Sequence, residues 1–212
     1  MKILVFSDVH GNLPALEKVL KKEPDVEGYI NLGDVVNYGP WSNECVDLID
    51  TLDNCLNITG NHEDYFKLGA CDVKSSLVQD FFKKTFLEFN RQKIIEKYNK
   101  KLFFEGFNLI HTLDNKKYVF RDTEVNIKEN LLLGHSHQQY LRLVNNKMLI
   151  NPGSIGQNRK LINVSNYLIW NIETGEFNLK STTYNFKYFI DKMKIEKYPK
   201  NCIEYYENKK LY

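Results

Sequence analysis

Seven residues of this chain are of the types that hold metal ions: Asp8, His10, Asp34, Asn61, His111, His135 and His137. An eighth, His62, stands beside Asn61, so all five histidines of the chain belong to this set. The donors are carboxylate oxygen, amide oxygen and imidazole nitrogen, with no thiolate among them. That excludes soft cluster sites, is too nitrogen-rich for calcium, and leaves Zn, Mn, Fe, Co or Ni. One ion rarely takes more than about six ligands, so the set points to two ions. A carboxylate between them can bridge, and Asp34 comes from a middle segment. Two divalent ions outweigh the charge of Asp8 and Asp34, which leaves a positive site suited to a phosphate group.

The elements that must position these residues are short apolar strands. KILVF (Lys2 to Phe6) runs into Ser7-Asp8-Val9-His10, and GYINL (Gly28 to Leu32) into Gly33-Asp34. NCLNIT (Asn54 to Thr59) runs into Gly60-Asn61-His62, FNLI into His111, and LLL into Gly134-His135-Ser136-His137. Between the first three strands lie amphipathic helices. Asn12 to Lys22 carries Leu13, Leu16, Val19 and Leu20 at helical spacing, with Asn12 as cap, and Ser42 to Leu52 opens on Ser42 as cap. Strands alternating with helices imply parallel βαβ units, and ligands bind at the carboxyl ends of such strands. Taken singly, each residue has an ordinary reading: a turn histidine, a capping Asp34, a turn Asn61. Taken together they place every histidine, two aspartates and an asparagine at one edge of one sheet. Gly11, Gly33, Gly60 and Gly134 lie beside them and permit tight turns and close backbone approach.

The stretch from about Glu63 to Lys101 breaks the alternation and reads as two inserted helices. After His137, YLRLV, MLI, YLIWNI and FNLKSTTY read as antiparallel hairpins turning at Asn145-Asn146 and Thr174-Gly175. A helix over Phe186 to Glu196 and a Tyr-rich tail close the chain. No linker divides it, so residues 1–212 are expected to form one domain.

Composition agrees with an ordinary globular protein: 42% hydrophobic and 26% charged residues, with a formal net charge of +2. That charge gives no footprint for nucleic acid or a membrane surface. Cys45, Cys55, Cys71 and Cys202 form no C-x-x-C pair, which fits reduced thiols. The N-terminal apolar run is too short for a signal peptide, and no run approaches a membrane span. The expected location is the cytoplasm.

The segments F-S-D-V-H-G-N, L-G-D-V-V, T-G-N-H-E, I-H and G-H-S-H, in this order, resemble the calcineurin-like metallophosphoesterases from Lys2 to about Gln157. N-P-G-S-I-G-Q (Asn151 to Gln157) resembles the small bacterial and archaeal phosphodiesterases of that superfamily. G-D-V-V-N-Y-G-P is similar to members described as diadenosine tetraphosphatase-like. The resemblance implies an α/β fold, a four-layer α/β/β/α sandwich of two mixed sheets with a small helical insertion. It implies one metal on Asp8, His10, Asp34 and His137 and another on Asp34, Asn61, His111 and His135, with Asp34 bridging. His62 is the non-ligand histidine that faces the phosphate and assists the leaving oxygen.

The expected activity is hydrolysis of a phosphodiester or phosphomonoester by a hydroxide bridging two divalent transition-metal ions, manganese first among them. The alternatives are a nucleoside polyphosphate hydrolase of the dinucleoside tetraphosphate type and a non-catalytic scaffold of the same fold. A nuclease would want a basic groove, and a protein phosphatase extra arginines, of which the chain has few. Asn12 and Arg159 are further candidates for substrate contact, with helix capping and plain surface exposure as their ordinary readings. The expected substrate is a small phosphoester or nucleotide. Specificity is assigned to Asn37 to Trp41 and to the insertion, where Tyr38, Trp41, Tyr65 and Phe66 either stack on a base or pack a helical cap. The sequence leaves the oligomeric state open.

Overall fold

The computed structural model describes residues 1–113 and 118–212. In chain order the elements are β1 (Lys2–Phe6), α1 (Leu13–Lys22), β2 (Gly28–Asn31), α2 (Ser42–Asp50), β3 (Cys55–Asn57), α3 (Asn61–Leu68), α4 (Ser76–Phe86) and α5 (Gln92–Ile95). They continue with β4 (Lys101–Phe104), β5 (Phe107–Ile110), β6 (Asn130–Leu132), β7 (Tyr140–Val144), β8 (Lys147–Asn151), β9 (Val164–Asn171), β10 (Glu176–Thr183), α6 (Phe186–Ile195) and α7 (Lys200–Glu207).

The strands form two mixed five-stranded sheets, ordered β10-β9-β1-β2-β3 and β4-β5-β6-β8-β7. In the first, β1, β2 and β3 are parallel, and β9 pairs antiparallel with β1 on one side and with β10 on the other. In the second, β5, β6 and β8 are parallel, and β4 and β7 run antiparallel at its two edges. The α/β class and the two mixed sheets are as expected. The expectation that all the site-bearing strands share one sheet is corrected: β1 to β3 belong to one sheet, β5 and β6 to the other. Hairpins do follow His137, but they separate. β7 and β8 extend the second sheet, while β9 and β10 complete the first.

Burial explains the division. Ile3, Val5, Ile30, Leu168 and Trp170 of the first sheet pack against Phe107, Leu109, Leu132 and Ile150 of the second, forming the core between them. The opposite face of the first sheet, with Leu4, Phe6, Tyr167 and Ile169, packs under helices through Leu16, Val19, Val46, Ile49, Phe189 and Tyr206. Alternate residues of one strand therefore serve two cores, as period-two side chains must. The outer face of the second sheet is covered, among the described residues, by irregular chain: Val119 and Ile127 pack on Leu131, Leu133, Tyr140 and Leu149. The helical layer thus lies on the first sheet.

Local chemistry set most boundaries, with some corrections. Asn12 caps α1 by accepting from the Ala15 N–H at 3.3 Å. Ser42 does not cap α2. Trp41 holds that position, and the Ser42 hydroxyl accepts instead from the Asn37 N–H at 3.1 Å. The insertion is three helices rather than two, because Gly69 adopts the left-handed conformation and stops α3. Its end, Lys101–Phe104, is a strand that pairs with β5 across Glu105-Gly106, both at positive φ. The Tyr-rich tail is α7, which buries Cys202 and Tyr206. All four cysteines are free. Among the described residues no helix is long and apolar enough to cross a membrane.

Candidate metal centre

The two sheets deliver their strand ends to one place. Asp8 and His10 follow β1, Asp34 follows β2, Asn61 and His62 open α3, His111 follows β5, and His135 and His137 follow β6. Asp8, His10, Asp34, His135 and His137 all have φ between 51° and 64°. This left-handed region is unfavourable for residues with a Cβ, and clusters of such strain mark functional sites. The loops are tied to one another: Asp8 N–H donates to Gly33 O at 2.9 Å, His10 N–H to Asp34 O at 3.0 Å, and Gly134 N–H to His111 O at 3.1 Å. Gly60 is required by space alone. A Cβ there would lie 2.1 Å from Asp34 Oδ1, so the Asp34 carboxylate rests directly on the Gly60 backbone.

The donor atoms fall into three groups, two of which contain Asp34. Asp8 Oδ1 lies 3.2 Å from His137 Nε2 and 3.8 Å from His10 Nε2, and those two nitrogens are 3.2 Å apart. Asp34 Oδ2 lies 3.1 Å from His111 Nε2, which is 3.2 Å from His135 Nδ1. Within each of the three-residue groups Asp8–His10–His137, His10–Asp34–His62 and Asp34–His111–His135, the donor atoms lie within 4.8 Å of one another.

The residues fit a metal pair. Nitrogens bound at ~2.0–2.1 Å to a common ion stand about 3 Å apart, the separation found in both histidine pairs. Asp8 Oδ1 and Asn61 Oδ1 are buried and have no hydrogen-bond partner among the described residues. A buried acceptor without a donor is costly, and a cation supplies what both lack. The far nitrogens are already placed: His111 Nδ1 faces Leu32 O at 2.7 Å and His137 Nδ1 faces Gln157 O at 2.8 Å. Carbonyls accept only, so these Nδ1 atoms carry protons and Nε2 faces the site, the arrangement that orients metal-binding imidazoles.

The electrostatics separate the imidazoles. Burial holds His10 well below the ordinary histidine value, aided by the charge of His137. Burial, then His111, lowers His135 to about 4, and burial lowers His62. These rings are neutral at pH 7 and competent to bind a cation. Burial works to raise Asp34, but His111 outweighs it and holds the carboxyl well below the carboxylate range. Burial likewise works to lower His111, and Asp34 outweighs it and lifts the ring to about 10. Without a metal, Asp34 and His111 are an ion pair. Asp8 is held at about 2, against its burial, chiefly by His137.

His62 differs from the others. Asn37 Oδ1 accepts from the Tyr38 N–H at 2.7 Å and faces the Thr85 hydroxyl at 3.0 Å, so the Asn37 amide nitrogen points at His62 Nδ1, 2.8 Å away. Nδ1 is therefore the acceptor and Nε2 carries the proton, 3.9 Å from Asp34 Oδ2. Thr85 stands on α4, which links the insertion to the site.

Glu63 was not anticipated from the sequence. Fully buried, it accepts from Asp34 N–H (2.8 Å) and Gly60 N–H (2.8 Å) through Oε2, and from Val35 N–H (2.7 Å) and Val36 N–H (3.2 Å) through Oε1. One carboxylate thereby joins the loop of Asp34 to the loop of Asn61. The local signal was Gly60-x-x-Glu63, the spacing of a capping box. Asn37 and Thr85 left no comparable signal.

The remaining predicted residues are dispersed. Asn12 is fully buried, with its oxygen capping α1 and its nitrogen donating to Gly156 O at 3.3 Å. Arg159 is exposed, and its Nε donates to Ser136 O at 3.0 Å, between His135 and His137. Tyr38 packs on His10 and His62, and Tyr65 on His62. Phe66 is buried among Phe82, Phe86 and Phe89, and Trp41 stacks on Tyr188, so these two are packing residues.

Comparison with known proteins gives the family. Residues 1–177 match the family model of the calcineurin-like phosphoesterases. The chain is 32% identical over 236 aligned positions to the uncharacterized protein MJ0912 of Methanocaldococcus jannaschii, covering 93% of each. Among solved structures it is similar to a metallophosphoesterase from Sphaerobacter thermophilus (22% identity, TM-score 0.80, 98% of each chain) and to the hypothetical protein PH1004 of Pyrococcus horikoshii OT3 (19% identity, TM-score 0.79, 96% of each). With its family model matched over most of its length and its donors gathered at the strand ends, this chain belongs to the calcineurin-like phosphoesterases, metal-dependent hydrolases of phosphoesters.

Proposed function

We propose that this phosphoesterase works with two divalent ions, held by Asp8, His10, Asp34 and His137 on one side and by Asp34, Asn61, His111 and His135 on the other. The observation that carries this reading is the pair of orphaned buried oxygens, Asp8 Oδ1 beside His10 and His137, and Asn61 Oδ1 at the start of α3. Asp34, lying in two of the three groups, is the bridging ligand. The mixed oxygen and nitrogen donors suit manganese first, with Fe, Zn, Ni or Co as alternatives.

When bound, such a pair polarises phosphoryl oxygens and lowers the pKa of water toward about 7. The chain's own contribution is placement. Glu63 fixes the Asp34 and Asn61 loops to each other. Leu32 O and Gln157 O orient His111 and His137. His62, neutral and with Asn37 occupying its other nitrogen, directs its Nε2–H at the leaving oxygen as a hydrogen-bond donor. A preorganised donor to developing charge is worth typically about 10²–10³ in rate. A non-catalytic scaffold is disfavoured because every donor position is filled and the His62 proton is directed by its own network.

Turnover of bis(p-nitrophenyl) phosphate and p-nitrophenyl phosphate tests the reading. With Mn²⁺ the protein hydrolyses at least one of them, EDTA stops the reaction, and Asp34→Asn abolishes it with the fold intact by circular dichroism. Full activity in Asp34→Asn contradicts the bridging role.

A further inference from the structure

Two cations lie over tyrosine rings that lead to this site, and among the described residues neither has an acidic partner. Arg159 lies over the Tyr118 ring, 5.1 Å from its centroid, and Tyr118 stacks on His135 at 4.6 Å with 13° between the planes. Lys209 lies over the Tyr205 ring at 4.5 Å. Tyr205 in turn sits 6.4 Å from Tyr38, whose ring packs on His10 and His62 at 4.9 and 5.1 Å. One cation–tyrosine pair thus borders the His111/His135 side and the other the His10/His62 side. Among the described residues neither Arg159 nor Lys209 forms an ion pair with a carboxylate.

The two charges also feel each other. Burial lowers the Lys209 ammonium, and the positive charge of Arg159 lowers it further. Bringing like charges together beside a positive metal site is unfavourable on its own. A packing role would leave the cationic heads free to point into solvent, as long basic side chains do. Here each head is seated on an aromatic face, and Arg159 is anchored again by its Nε on Ser136 O. Its remaining guanidinium nitrogens keep the fork that suits phosphate oxygens.

We infer that Arg159 and Lys209 form a subsite for a second anionic group, so that the favoured substrate carries a further phosphate next to the scissile one. This rests on the metallophosphoesterase reading of the centre and narrows it to phosphoanhydrides, of which nucleoside di- and triphosphates are the accessible examples. In the reaction the oxygen of water bonds to the scissile phosphorus and the bond from that phosphorus to the bridging oxygen breaks. The bridging oxygen leaves with the second phosphate, whose charge the two cations offset, and the surplus proton goes to solvent.

The test compares kcat/KM for ATP with that for p-nitrophenyl phosphate, in Mn²⁺, for the wild type, Arg159→Ala, Lys209→Ala, the double variant and Arg159→Lys. The ratio of the two falls at least about tenfold in each alanine variant and further in the double variant, mainly through a higher KM for ATP. Arg159→Lys recovers part of the loss. Turnover of p-nitrophenyl phosphate with an unmoved ratio, or with no wild-type turnover of ATP or ADP, overturns the subsite and leaves the phosphoesterase reading standing. A wild type inert toward all these esters with Mn²⁺ or Ni²⁺ overturns both.

Discussion

Glu63→Gln is the substitution that separates assembly of this site from its chemistry. The Glu63 carboxylate accepts four backbone N–H bonds, two at each oxygen. A glutamine amide keeps one oxygen and turns the other into a donor. Whichever way it faces, two N–H groups lose their acceptor: Val35 and Val36 in one orientation, Asp34 and Gly60 in the other. Leaving a buried donor unsatisfied costs about 1–3 kcal/mol, so the pair costs about 2–6 kcal/mol. One term opposes this. Burial first, and then the charge of Asp34, pushes the Glu63 carboxyl up to about 7, so losing that charge brings some relief. The expected loss is therefore in the lower half of the range, still a large part of the ~5–15 kcal/mol that holds a domain. Urea unfolding in EDTA, followed by circular dichroism, measures it as a lower midpoint with an unchanged slope. Elemental analysis of the refolded variant is expected to show reduced metal content, because the Asp34 and Asn61 loops no longer share an anchor. A midpoint within about 0.5 kcal/mol of wild type, the range of ordinary surface substitutions, together with full metal content, refutes the reasoning.

Two other substitutions probe neighbouring parts of the site. Gly60→Ala places a methyl group 2.1 Å from Asp34 Oδ1 and 2.5 Å from Asp34 N; displacing that carboxylate is expected to cost about 10² or more in kcat/KM while circular dichroism stays native. His62→Ala is expected to keep both metals by elemental analysis and to lose about 10²–10³ in kcat, whereas loss of metal would make His62 a ligand.

Much of the site was legible because its residues follow strands directly. A chain that leaves a β-strand and turns at once places its next polar side chains at the sheet's carboxyl end, so Asp8, Asp34, His111 and His135 could be gathered from the pattern alone. The left-handed backbone at five of these positions was not legible. Asp, Asn and His tolerate that conformation better than most residues, but the same types serve in ordinary turns. Which sheet each strand joins was also hidden: both faces of β1 are apolar, and pairing is decided by packing between sheets. Glu63 read as one more acidic residue in a helix, since nothing local says that four amides converge on it. Ser42 looked like a cap because its type is right, yet Asn37 claims its hydroxyl from outside the helix. The insertion read as two helices, and the left-handed Gly69 that ends the first of the three was not legible as a break.

The central claim is two ions sharing Asp34, and the anomalous difference map of crystals grown with Mn²⁺ tests it most directly. The account predicts two peaks, one among Asp8, His10 and His137 and one among Asn61, His111 and His135, with the Asp34 carboxylate between them. A single peak, or a second one that does not touch Asn61 and Asp34, would contradict it.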